Sequence, residues 1–426
     1  MKNRITGIFK SEFIKNASIL IGGNVTGQAV SLLIYPLLTR IYSEADFGVF
    51  ALFMSVISIL SILATGKYEE AVLLTKEKKE TDALVGFLLK WIAGFSLLIF
   101  ILLIFLKEEI FSLFNMQSLR GYWYFIPLTV FFTGLSYLLI DLATKKKKFK
   151  TIASSGLNMN GTSSLIKLGL GYFPIVRGGL IISVLIGQLA ACISFFRYGK
   201  DLLWGLRSNR KHQWKTGIKY KEFPLYSMTR NLVNSFSGNI PFLLLTGIFG
   251  EAALGVFSMA LMMGSRPSAL ISGSLYQVFF EKTVSLKNER KPLFPVLKSY
   301  WKKTTLYLLP ICILAFFLSP WLFGFVFGQK WEISGVYFQY LLPWIFLTFI
   351  IHPMFFIPAL FGKQRKALGL EILCLILRWI GVMISIYFNN FESAVILYSL
   401  AGVIYSVIVW IWYISMIKKY EKTIVL

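Results

Sequence analysis

Apolar runs of about twenty residues recur from one end of the chain to the other, and that repetition decides what it can fold into. Such a run is the length that crosses a bilayer core as a helix. Twelve candidates lie at 17–38, 47–65, 84–106, 124–142, 152–173, 179–197, 225–247, 253–278, 304–327, 336–360, 368–388 and 394–416. Of the 426 residues, 56% are apolar and only 15% charged, whereas ordinary soluble domains are about a quarter charged. A soluble enzyme is excluded, as is a disordered or fibrous chain, because neither holds this much apolar side chain. The expected class is an all-α polytopic membrane protein. The first run has no small-residue cleavage site after it and reads as a retained span.

Orientation follows from Lys and Arg, which collect on the cytoplasmic side. With the N-terminus inside, the inner segments carry 34 of the 44 basic residues. The outer loops hold only Arg40, Lys107, Arg120, Arg177 and Lys330. Both termini are therefore expected in the cytoplasm. In a soluble protein the net charge of +24 would suggest nucleic acid. Here it sets topology and favours anionic membrane lipids, so no nucleic-acid partner is expected. Cys192, Cys312 and Cys374 fall within apolar runs and read as buried thiols.

The longest inner connection separates spans one to six from seven to twelve. The expected organisation is an N-terminal lobe over 1–198, a basic amphipathic cytoplasmic linker over 199–223, and a C-terminal lobe over 224–426. Leu202, Leu203, Trp204, Leu206, Trp214 and Ile218 stand among the linker's basic residues, as in a helix lying on the cytoplasmic leaflet. A plain basic linker is the alternative. Two six-span halves around a midplane cavity form a recurrent transporter plan. The outer loops are too short for a separate external domain.

Ionisable groups inside hydrocarbon cost several kcal/mol unless they meet a partner or a wet cavity. Arg266 and Arg378 lie near the middles of spans eight and eleven, and Lys167 is similarly deep in span five. Arg230 and Lys90 sit nearer the inner ends, where snorkelling explains them. Among embedded acids, Glu371 is within a span and Asp141 lies at the inner end of span four. Cations outnumber acids, which points to a cavity receiving an anion, most naturally phosphate, since Arg matches its oxygens bidentately. Arg266, Arg378, Lys167 and Arg230 are the candidates; pairing across the bundle is the structural alternative. Asn24, Gln28, Asn158, Gln188 and Asn234 add polar uncharged groups. They serve either as interhelical hydrogen bonds or as a lumen that solvates hydroxyl-rich cargo. His212 and His352 are isolated, so no metal site is expected, and no Walker loop or other cofactor motif is present.

The stretch PLLTRIYSEADFGVFAL, followed by GKYEEAVLL, resembles the first two spans of Wzx-type polysaccharide flippases, members of the MATE-like superfamily that also includes the lipid II flippase MurJ. The residues carrying the resemblance are Arg40 to Tyr42, Asp46 to Gly48, and Tyr68 with Glu69. A second passage runs from Phe327 to Trp344. The resemblance implies a V-shaped pair of six-helix lobes in the bacterial inner membrane. It also implies movement of undecaprenyl-pyrophosphate-linked oligosaccharide to the outer leaflet by alternating access, for O-antigen, capsule or a related glycan. The polysaccharide polymerase machinery would be a partner. No bond is made or broken, so the protein is expected to be a transporter and not an enzyme. Glu371 and Asp141 are the candidates for coupling to a proton or sodium gradient, while Glu69 and Glu70 are expected either to pair with loop lysines or to close an inner gate. Two other readings stand beside it. A MATE-type exporter of small molecules would favour an acidic lumen, and the first span has Asn24 and Gln28 where proton-coupled drug exporters commonly place an acid. A membrane polysaccharide polymerase or ligase would require a large outer loop.

Overall fold

A computed structural model describes residues 26–29, 31–173 and 178–425. Asn24 and much of the expected first span lie outside them. Among the described residues every regular element is helical, as lipid demands of a backbone that must satisfy its own hydrogen bonds. We number the helices α1 (31–41), α2 (Glu44–Thr65), α3 (Tyr68–Val72), α4 (Lys78–Leu113), α5 (Phe125–Lys145), α6 (Phe149–Gly171), α7 (Gly179–Ser194), α8 (Gly199–Arg207) and α9 (Arg210–Lys219). A π-helical turn at Phe223–Met228 leads into α10 (Thr229–Asn288), followed by α11 (Phe294–Phe327), α12 (Glu332–Ile351), α13 (Ile357–Leu360), α14 (Gln364–Tyr387) and α15 (Phe391–Val425).

Eight of the described helical stretches are long and apolar enough to cross a membrane, and α7 is a shorter apolar helix. The difference from twelve has local causes. The polar residues of α6 keep it out of that set although it is a 23-residue helix. The seventh and eighth expected spans form one helix, α10, bent at Gly250, whose φ of 82° is a left-handed value that suits glycine. The chain divides into two compact units between Ser235 and Phe236.

In the first unit, Leu84, Val85, Leu88 and Ile92 of α4 pack with Leu138, Leu139, Leu142 and Ala143 of α5. α2 starts at a capping box: Ser43 Oγ accepts from the Asp46 amide at 3.2 Å, and Asp46 Oδ2 accepts from the Ser43 amide at 2.9 Å. It ends at Gly66 and Lys67, both left-handed, which turns the chain into α3. The ammonium of Lys145 then holds the α3–α4 turn, donating to the carbonyls of Val72 (3.0 Å) and Thr75 (2.7 Å) and to the hydroxyls of Thr75 and Thr81. α8 and α9 pack on the first turns of α4, where Gly86 and Gly205 let the helices touch.

The second unit buries Leu297, Tyr300 and Trp301 of α11 against Ile350, Ile351, Val409 and Tyr413. α11 and α12 cross closely at Gly335, and Ser319 Oγ donates to the Gly335 carbonyl at 3.0 Å. Elsewhere α11 is a lipid-type surface, with Leu306, Phe317 and Phe325 exposed. A Cβ on Gly335 would collide with the Ser319 carbonyl and lie 2.5 Å from Pro320 Cα, both backbone. Gly335→Ala is therefore expected to destabilise this unit by about 1–3 kcal/mol, lowering the thermal midpoint in detergent by several degrees. Gly369→Ala, with nothing within 4 Å of the added carbon, should leave the midpoint unchanged or slightly higher.

Candidate functional site

The buried face of α14 carries Glu371, Cys374, Arg378, Gly381, Val382 and Ser385, the three-and-four spacing of one helix side. Arg378 is 7% exposed. Its Nη1 donates to the Ser237 carbonyl at 3.1 Å and to Ser237 Oγ at 3.2 Å. The guanidinium carbon lies 4.1 Å from the Tyr398 ring centre and 5.0 Å from that of Trp344. Two aromatic faces thus stabilise the charge, an interaction worth about 2 kcal/mol when desolvated. Among the described residues no carboxylate is within ion-pair reach of Arg378, and its buried Nε has no hydrogen-bond partner. The result is a permanent positive charge held in place without being neutralised. Glu371 is buried on the same face, two turns away.

A second group forms at the turn after α2. Glu69 is 2% exposed; its Oε1 accepts from Thr65 Oγ1 at 3.2 Å and lies 3.4 Å from Lys67 Nζ. Its Oε2 is buried without a hydrogen-bond partner. Lys67 also lies 3.4 Å from Glu70 and 5.9 Å from the Tyr137 ring centre. Ser227 Oγ donates to Glu70 Oε2 at 2.6 Å, tying α3 to the π-helical turn. Burial pushes the Glu69 carboxyl above the ordinary range, more than Lys67 and Thr65 pull it down. Burial works against the Lys67 ammonium, yet Glu69 and Glu70 outweigh it and raise its pKa. Asp141 of α5 is partly buried within the field of the same three groups.

The remaining candidates are distributed over both units. Lys167 is half-buried on α6 with Nζ 5.2 Å from the Phe50 ring centre. Its carbonyl accepts from Tyr42 Oη at 2.8 Å, and burial together with Asp46 pushes the Tyr42 phenol up to about 12. Asn158 donates to Ser194 Oγ at 2.9 Å, and Gln188 accepts from Ser136 Oγ at 3.1 Å. Both amides therefore make hydrogen bonds between helices. Gln28 is half-buried, Arg230 and Asn234 are exposed on the first turns of α10, and Arg266 is half-buried further along that helix. The structure thus gathers Glu69, Glu70 and Asp141 around Lys67, and aligns Glu371 with Arg378. Lys167 and Arg230 belong to the first unit, Arg266 and Arg378 to the second. Sequence reasoning missed Ser237, Trp344 and Tyr398, which come from three other helices; it expected loop lysines beside Glu69 and Glu70 without saying which, and the lysine there is Lys67, brought in by a left-handed backbone.

The pattern of a family described as "Polysaccharide biosynthesis protein" matches residues 37–335. No curated protein matches the chain. Among solved structures, the lipid II flippase MurJ in an inward closed conformation is similar with a TM-score of 0.73 at 15% identity, covering 97% of this chain and 91% of that one. A multidrug resistance MATE family transporter of the MOP superfamily, inward-facing, gives 0.70 at 14% identity, covering 93% and 96%. A MOP superfamily transporter from Pyrococcus furiosus gives 0.57 at 12% identity, covering 96% of each. The helical fold of these membrane transporters and the family match along most of the chain agree: the protein belongs to the polysaccharide biosynthesis family and has the MOP-superfamily fold.

Proposed function

We propose that this protein flips undecaprenyl-pyrophosphate-linked oligosaccharides from the cytoplasmic to the outer leaflet of the bacterial inner membrane, by alternating access. The observation that carries the reading is a polysaccharide-biosynthesis match over residues 37–335 on a membrane-transporter fold. The physical need is plain. An unsatisfied sugar hydroxyl in hydrocarbon costs roughly 2–7 kcal/mol and a diphosphate much more, so the headgroup requires a polar path while the polyprenyl tail stays in lipid.

In this mechanism Arg378 contributes uncompensated positive charge to the pyrophosphate, and Arg266, Lys167 and Arg230 are the further cations offered to it. Gln28, Asn158, Gln188 and Asn234 offer amides to sugar hydroxyls. Glu69 and Glu70 close the inner side through Lys67 and Ser227, and Asp141 or Glu371 couples the cycle to a proton or sodium gradient. The flipped units would pass to a polysaccharide polymerase. Export of small molecules is the second reading, favoured by the likeness to a MATE transporter.

In a strain lacking the gene, with the polymerase intact, mass spectrometry of polyprenyl lipids should show build-up of a pyrophosphate-linked oligosaccharide that the restored gene clears. An unchanged lipid pool with new sensitivity to cationic drugs would favour the second reading instead. Arg378→Ala should lower export at least about tenfold, the loss of one charge-assisted hydrogen bond to the cargo, at normal membrane abundance. Arg378→Lys should restore part of it, and normal export by both variants would remove the anion-binding role.

The raised pKa of Glu69 also predicts a pH dependence. Its contribution to stability is complete below the unfolded carboxyl value of about 4.5 and is lost as pH rises through the higher folded value. Glu69→Gln should therefore flatten the decline in thermal midpoint as pH rises above about 4.5. An identical slope in wild type and variant would show that Glu69 is not the group responsible.

A further inference from the structure

The linker helices α8 and α9 play no part in the transport scheme, yet they are fastened firmly to α4. A Cβ on Gly86 would run into the Gly205 carbonyl, so the two backbones are in contact. Gln213 Nε2 donates to the Gly205 carbonyl at 2.8 Å and to the Ser208 carbonyl at 3.1 Å, while its Oε1 accepts from Lys90 Nζ at 2.8 Å. Thr216 and Gly217 are buried beside them, and a Cβ on Gly217 would crowd the Phe87 ring.

The outer side of this pair is both apolar and basic. Leu203, Trp204, Leu206, Trp214 and Ile218 are all exposed, Trp204 by 56% and Trp214 by 61%. Arg207, Arg210, Lys211 and Lys215 are exposed around them. The nearby acid, Asp201, is occupied by Lys146 at 2.7 Å, and Glu80 of α4 by Lys219. Among the described residues none of the four basic groups makes an ion pair, and all four face outward.

Their level along α4 is also defined. Trp214 meets Phe87 edge to face at 6.0 Å between ring centres, and Phe87 stacks on Trp91 at 6.1 Å. Trp91 is where α4 passes from its charged first turns, with Lys78, Lys79, Glu80 and Asp82, to the exposed apolar stretch containing Leu97, Leu98, Phe100 and Ile101. Up to its kink at Leu106 α4 is about 42 Å long, which exceeds a hydrocarbon core of about 30 Å, so its charged start projects beyond that core. An aromatic row at this crossing is at headgroup level, where tryptophan prefers to sit.

We propose that α8 and α9 form a binding site for anionic lipid headgroups, with Trp204 and Trp214 inserted at the interface and Arg207, Arg210, Lys211 and Lys215 holding the lipid phosphates. Charge complementarity and continuity with the lipid-facing surface of α4 select the bilayer as the occupant, since a soluble acidic partner would have to displace lipid from around Trp91. Through Gly86, Gly205 and Gln213, the bound leaflet fixes the height of α4.

The test is amide hydrogen exchange on the full-length protein in nanodiscs of phosphatidylcholine, with and without one third phosphatidylglycerol. Exchange across 199–219 should slow roughly tenfold with the anionic lipid and lose that protection at high salt, while α5 is unaffected. The triple variant R210Q/K211Q/K215Q should exchange like wild type in phosphatidylcholine and show no response to phosphatidylglycerol. Trp214→Ser should speed exchange in both lipids. Equal exchange of wild type in the two compositions, as expected if the surface serves a soluble partner, overturns the proposal. So does a triple variant that responds as wild type does.

Discussion

Hydrocarbon offers the backbone no hydrogen-bond partner, and the rest of the structure follows from that. Each helix satisfies its own interior, so the exposed question is where each one stops. The first unit answers with side chains: Ser43 and Asp46 cap the start of α2, and the Lys67 amide after its end finds Thr65 Oγ1 at 3.3 Å. At the end of α3 a lysine supplies the missing donors, with Lys145 bound to the carbonyls of Val72 and Thr75. Hydroxyls inside the bundle obey the same rule. Ser55 and Ser385 return their protons to the carbonyl one turn back, at 2.8 Å and 2.7 Å, which lets small polar residues line tight helix contacts.

The two units handle buried charge in opposite ways. In the first, Lys67 is enclosed by Glu69 and Glu70, with Asp141 in the same field, so carboxylates outnumber the cation. In the second, Arg378 is held by two ring faces and Ser237. A carboxylate would have cancelled the guanidinium charge, whereas ring quadrupoles stabilise it and leave the charge present. Such a cation can still attract an anion, and an acid-rich turn can still take up a proton. Each function proposed for these groups depends on that incomplete compensation.

Helical class and membrane residence were legible in the apolar runs, because bilayer thickness fixes a length that composition alone can reveal. Arg378 was legible for a related reason: charge in hydrocarbon is expensive enough to need a purpose. Its partners were not, since Ser237 is 141 residues away in sequence and no local pattern announces a ring face from α12 or α15. Which loop lysine meets Glu69 was not legible, because helical spacing does not place residues two apart together, and the left-handed Lys67 does. Asn158 and Gln188 looked equally suited to cargo or to helix packing. Spacing within one helix carries no information about which hydroxyl of a neighbouring helix lies opposite.

The motif that carried the resemblance has a structural explanation of its own. Asp46 caps α2, Phe47 is 2% exposed, and Tyr42, 5% exposed, reaches the Lys167 carbonyl. Gly66 supplies the left-handed turn, Tyr68 belongs to the core formed by α4 and α5, and Glu69 is anchored by Thr65. These residues define how α2 starts, how it ends and what it rests on. Capping and packing requirements are the same whatever headgroup a transporter carries, so such a motif reports scaffold and not cargo. In the proposed mechanism cargo recognition therefore falls to groups outside it, first to Arg378, whose charge has been placed by aromatic rings in a way no capping requirement explains.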